Sequence, residues 1–97
     1  MSLDARYPSL KDRVVLVTGG GSGIGAGIVE HFCDQGARVS FIDIDKSASE
    51  SLLARIGAMG QPAPRFIPGD LRDIAALQAA IARVGKEDGP IRALVSN

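Results

Sequence analysis

The chain encodes an α/β fold, a doubly wound parallel sheet in the order βαβαβαβ with strands ranked 3-2-1-4. Three observations predict it. Short β-branched runs alternate with segments of helical spacing along the 97 residues. The connections are short, and a strand-helix-strand series of this kind implies parallel strands joined by right-handed crossovers, with helices on the sheet's faces. The first apolar run, Val14-Val15-Leu16-Val17-Thr18, passes straight into the glycine-rich turn Gly19-Gly20-Gly21-Ser22-Gly23-Ile24-Gly25. In such sheets ligands bind outside the carboxyl ends of the strands, where the strand order reverses, and this turn follows strand one at that place.

The elements follow in order. Strand one is expected near Arg13 to Thr18. A helix over Ser22 to Gln35 has Ile24, Ile28 and Phe32 at four-residue intervals as its apolar stripe, and Gly36 ends it in the left-handed conformation. Strand two runs through Val39, Phe41 and Ile42 to Asp43, and the next helix, Ser47 to Met59, buries Leu52, Leu53 and Ile56 before Gly60-Gln61-Pro62 breaks it. Strand three is short, around Phe66-Ile67. The third helix carries Ile74, Leu77, Ala80, Ile81 and Val84 at helical intervals, and strand four occupies Ile91 to Val95.

Composition narrows the partners. Eleven basic and eleven acidic residues cancel, and neither sign forms a block, so no electrostatic footprint for nucleic acid or for an anionic membrane is expected. Cys33 is alone, which leaves neither a disulfide framework nor a zinc spacing and suits a reducing cytoplasm. No signal peptide is recognisable, and no apolar run reaches the roughly 18 to 20 residues that span a bilayer. Small-molecule chemistry in the cytoplasm is the expectation.

The glycine turn specifies that chemistry further. Without Cβ atoms the backbone can approach a phosphate closely, and the first amides of the following helix point at it with the positive end of the helix dipole. A P-loop would need Lys and then Ser or Thr after its last glycine, but Ala26 and Gly27 follow Gly25. A methyltransferase-like turn would carry an acidic residue where strand one ends in Thr18. The G-x-G-x-x-G fingerprint does not fit the run either, whereas Thr18-Gly19-x-x-x-Gly23-x-Gly25 does present a regular spacing. Asp43 closes strand two eighteen residues after Gly25, near the spacing at which a carboxylate accepts hydrogen bonds from an adenosine ribose. The alternative is that Asp43 merely solvates or caps a strand end.

The pattern TGxxxGxG after the first strand resembles the cofactor motif of the short-chain dehydrogenase/reductase family, and the resemblance extends over nearly the whole chain. It implies a Rossmann-like fold and a nicotinamide cofactor. Asp70-Leu71 is similar to the family's Asp-hydrophobic pair, in which Asp accepts from the adenine amine and the apolar residue meets the ring. Helix capping by Asp70 or Asp73 is the competing reading. Val95-Ser96-Asn97 resembles the start of the family's Asn-Asn-Ala-Gly segment, with Ser96 in place of the first Asn and Asn97 as the second. The implied cofactor contacts are Gly19, Gly21, Ser22, Gly23, Ile24, Gly25, Asp43, Ile44, Asp70, Leu71 and Asn97. NAD is expected over NADP, because Asp43 would repel a 2′-phosphate and Ser22 stands where NADP-preferring members often carry Arg or Lys.

Tyr7-Pro8-Ser9-Leu10-Lys11 together with Gly19 to Gly27 is similar to bacterial sugar dehydrogenases of the family, including xylose dehydrogenases. The implied activity is hydride transfer between a sugar or other secondary alcohol and nicotinamide, by a homo-oligomer, dimer or tetramer, when full length. The family's Ser and Tyr-x-x-x-Lys are expected downstream, so that residues 1–97 form the cofactor-binding portion of a single domain and include no catalytic residue. Tyr7 and Lys11 reproduce Tyr-x-x-x-Lys by letter, but Pro8 and the strand starting at Arg13 leave no room for a helix that would stack them. His31 has no His or Cys partner at ligand spacing and is read as a packing or surface residue, and Arg72 as a solvated one. The alternative to an enzyme is a non-catalytic nucleotide-binding module.

Overall fold

The computed structural model describes residues 11–21 and 23–97, and Ser22, Tyr7 and the rest of 1–10 lie outside the described residues. Seven elements alternate: β1 (Val14–Thr18), α1 (Gly23–Asp34), β2 (Arg38–Asp43), α2 (Lys46–Ala58), β3 (Arg65–Pro68), α3 (Ile74–Asp88) and β4 (Ile91–Ser96). All three strand pairings are parallel and the order is β3-β2-β1-β4, as expected from the sequence.

The central strand is apolar throughout because it is covered on both faces. Val15 and Val17 join Val39 and Phe41 in a core closed by Ala26, Val29 and Cys33 of α1 and by Leu52 and Ile56 of α2. Val14 and Leu16 point the other way, where Ile42 and Ile67 meet Ala80 and Val84 of α3. Thus α1 and α2 cover one face and α3 the other, which is the doubly wound arrangement. Phe41 and Phe66, partners across β2 and β3, stack with centroids 5.3 Å apart. Pro68 closes the edge strand β3, the place in a sheet where its missing N–H is tolerated.

One expectation about helix faces is corrected. Ile24 is 78% exposed, and the buried side of α1 is Gly25, Ala26, Ile28, Val29 and Cys33. The helix start is pressed against the glycine turn, so its smallest residues face inward and Ile24 is rotated out. Ile74, the first of the residues that recur at helical intervals along α3, is 68% exposed on the helix's first turn, where the strands stop; Ala80 and Val84 carry the burial. Gly36 ends α1 with φ +82°, as its position predicts.

Cys33 lies on the buried face of α1, and burial, with the Glu30 carboxylate as a smaller contribution, pushes its thiol from 9.0 up to about 11. The folded chain therefore disfavours the thiolate, so the stability associated with this group is whole below pH 9.0 and is lost as pH rises toward about 11. Native protein at pH 8 is expected to resist thiol-labelling reagents and to react fully in urea. Stoichiometric labelling without denaturant would contradict the burial.

Candidate functional site

Three helices begin at the carboxyl end of the sheet, and the predicted site residues gather there. Gly19 and Gly23 hold φ of +68° and +60°, values that only glycine adopts without strain. The turn is fixed at its base because Gly19 N–H donates to the Ile42 carbonyl at 2.7 Å. A Cβ on Gly25 would collide with the Gly19 carbonyl oxygen and stand 2.8 Å from Asn97 Nδ2, so the first turn of α1 can lie this close only with hydrogen at that position. A Cβ on Gly23 would meet nothing, since that position opens outward. At its glycines the turn is therefore packed on the side of Gly21 and Gly25 and open at Gly23.

Asp43 closes the turn from β2. Its Oδ2 accepts the Gly21 N–H at 2.9 Å and its Oδ1 accepts the Asp45 N–H at 2.7 Å. Each oxygen keeps a second lone pair for an outside donor. The carboxylate is thus oriented by two amides from opposite sides. The Asp45 N–H, two residues on, is the contact by which an aspartate caps a strand end, and the Gly21 N–H ties the same carboxylate to the glycine turn. Ser49 lies beneath, wholly buried, with its hydroxyl donating to the Asp45 carbonyl at 2.7 Å, and a Cβ on Gly21 would strike that hydroxyl oxygen. Sequence reasoning missed Ser49; its signal is the four-residue step back to Asp45, the spacing at which a helical serine bonds its own backbone.

On the β4 side, Asn97 binds the turn. Its Nδ2 donates to the Gly19 carbonyl at 3.1 Å and its backbone N–H lies 3.3 Å from the Thr18 carbonyl. The Thr18 hydroxyl is 3.4 Å from both the Val95 carbonyl and the Ser96 hydroxyl. Asn97 consequently holds the shape of the turn, and Ser96 takes part through its hydroxyl.

At the end of β3, Asp70 is engaged by Arg72 and Asp73 caps α3 by accepting the Ala76 N–H at 3.1 Å. Of the two residues suggested for capping, Asp73 does it. Hydrogen bonds from the Arg72 guanidinium hold the Asp70 carboxyl down at about 2. Arg72 is solvent-exposed, as read from the sequence, yet it is committed to its neighbour. The His31 and Phe32 rings meet edge to face, 6.1 Å between centroids.

Apolar surface frames this end. Ile44 just past β2 is 68% exposed, and Ile24 and Ile74 sit on the first turns of α1 and α3. A cleft of ≈ 330 Å³ runs from Gly21 and Gly23 between α1 and α2 to Ser51 and Arg55. A cleft of ≈ 490 Å³ lies at the opposite pole, among Asp12, Arg38, Pro62 and Arg65, far along the strands from the glycine turn. The smaller one adjoins the glycine turn and is the one relevant to it. Among the described residues no helix is long and apolar enough to cross a membrane, and no three metal-ligating side chains converge.

Known proteins share this fold. The sequence profile described as short chain dehydrogenase matches residues 13–97. The chain is 48% identical over 93 residues to the protein named "Probable galactose dehydrogenase GalD" of Rhizobium meliloti (strain 1021), covering 96% of this chain and 36% of that protein. It is 44% identical over 84 residues to D-xylose 1-dehydrogenase of Caulobacter vibrioides (strain NA1000 / CB15N), covering 87% and 34%. A solved structure from Pseudomonas syringae, described as a putative short chain dehydrogenase, superposes with TM-score 0.83 at 33% identity over 96% of this chain and 40% of that one. The chain spans about a third of the length of the curated relatives it matches. A profile match that begins one residue before β1 and runs through Asn97 takes in every element of the sheet and the whole glycine turn, and on that ground the chain belongs to the short-chain dehydrogenase/reductase family.

Proposed function

We propose that residues 1–97 are the NAD-binding portion of an oxidoreductase acting on a sugar or another secondary alcohol. The observation that carries the cofactor reading is the Asp43 carboxylate, fixed beside the turn by the amides of Gly21 and Asp45 with lone pairs to spare. The residues present suit a dinucleotide: the backbone of Gly19, Gly21, Gly23 and Gly25, with Ser22 and Ile24, serves the pyrophosphate, and Asp43 accepts from the adenosine ribose. Asp70, Leu71 and Ile44 receive the adenine, and Asn97 keeps the turn in shape for it. α1 has no acidic side chain in its first turn, so the positive end of its dipole is free to favour phosphate.

The bound nicotinamide supplies the hydride acceptor, and the chain's own part is to hold and orient the cofactor. Asp43 also discriminates: its negative charge opposes the 2′-phosphate that distinguishes NADP. Support for a sugar or sugar-like alcohol comes from the names of the relatives, which include a galactose and a xylose dehydrogenase. The Ser and Tyr-x-x-x-Lys that would move the proton are assigned to the part of the relatives' length that the chain does not span. Calorimetric titration of the chain with NAD and NADP is expected to give NAD at least about tenfold tighter, since a hydrogen bond to a charged acceptor is replaced by repulsion. Equal affinities would overturn the NAD preference, and no heat with either would overturn the cofactor reading itself.

A further inference from the structure

Asp70 and Arg72 stand two residues apart at the carboxyl end of β3 and satisfy each other. Oδ1 of Asp70 accepts the Arg72 backbone N–H at 2.9 Å and its Nε–H at 3.0 Å. Oδ2 accepts Nε–H at 3.2 Å and Nη2–H at 2.8 Å. Three N–H groups of Arg72 make these four contacts, the single Nε–H being shared between the two oxygens, so the guanidinium lies across both of them. At Asp43, by contrast, each oxygen is held by one backbone amide.

Resting on the reading above, in which Asp70 accepts the exocyclic amine of adenine, we propose that Arg72 is a positioning residue of the adenine subsite that competes with the base for Asp70. Oδ2 is the oxygen to be released, because its only donors are guanidinium N–H groups. Oδ1 retains the Arg72 backbone N–H when the fork opens, so the carboxylate keeps its orientation while it changes partner. The side chain of Arg72 is 86% exposed, so no packing locks the fork. Exposed ion pairs are weakly held, and opening this one lowers adenosine affinity only modestly.

The test is calorimetry on the chain and on Arg72→Lys with ADP-ribose and, separately, nicotinamide mononucleotide. Lysine keeps the charge but is a point donor that cannot fork both oxygens. The variant is expected to bind ADP-ribose about threefold more tightly, the scale of an exposed pair, and nicotinamide mononucleotide unchanged. In the native chain the Arg72 Nε–H resonance should move on adding ADP-ribose and stay fixed on adding nicotinamide mononucleotide. Equal or weaker ADP-ribose binding by the variant, or a stationary Nε–H signal, overturns the competition and leaves the NAD reading standing. A native chain that binds no ADP-ribose overturns both.

Discussion

Gly25→Ala is expected to lose both stability and dinucleotide binding, while Gly27→Ala two positions along the same helix is expected to lose neither. The methyl group added at position 25 has no place to go: the Gly19 carbonyl carbon would be 2.9 Å away and Asn97 Nδ2 2.8 Å, with the carbonyl oxygen closer still. Gly19 cannot retreat, because its N–H is held by Ile42 and its carbonyl by Asn97. Overpacking of this sort costs about 1–3 kcal/mol, read as a lowered urea midpoint at unchanged slope. Displacing the start of α1 also removes its amides from the turn, and NAD affinity should fall about 100-fold, on the scale of two charge-assisted hydrogen bonds. A Cβ on Gly27 meets nothing, so alanine there should stabilise the helix by up to about 1 kcal/mol. Native-like binding and stability in Gly25→Ala would remove the turn as the site.

Asp43→Ala should weaken NAD about tenfold or more and narrow its advantage over NADP, since a ribose acceptor and a repelling charge disappear together. The same change leaves the Gly21 and Asp45 N–H groups without their acceptor, so a stability loss of about 1–3 kcal/mol accompanies it. Asp43→Asn separates the two effects. Its remaining carbonyl oxygen can still serve one amide, which preserves most of the stability, but the charge is gone and NADP should gain on NAD. Unchanged affinities for both cofactors in Asp43→Ala would show that the carboxylate serves the fold alone.

The sequence was most legible where local rules and burial coincide. The alternation of β1, α1, β2 and the elements after them followed from β-branched runs and helical spacing, and the 3-2-1-4 order is the one expected of a doubly wound sheet. The glycine turn and Asp43 could be placed because their spacing belongs to a strand-turn-helix unit read along the chain. Helix faces were less legible. Ile24 and Ile74 have the periodicity of core residues, but the sheet ends beneath the first turns of α1 and α3, and a periodic pattern carries no record of where its partner surface stops.

What the amino-acid order determined by itself is the succession of elements, the left-handed stops at glycine and the presence of a phosphate-sized turn, all of which depend on near neighbours and backbone sterics. The tertiary structure decided which donors meet which acceptors. Asp43 ends β2 and Asp70 lies two residues past β3 at the same end of the sheet, yet Asp43 is held by the amides of Gly21 and Asp45 and Asp70 by the guanidinium of Arg72. The difference arises because a hydrogen bond requires a donor within about 3 Å at the right angle, and distances between β2 and the glycine turn are set by packing across the sheet rather than by position along the chain.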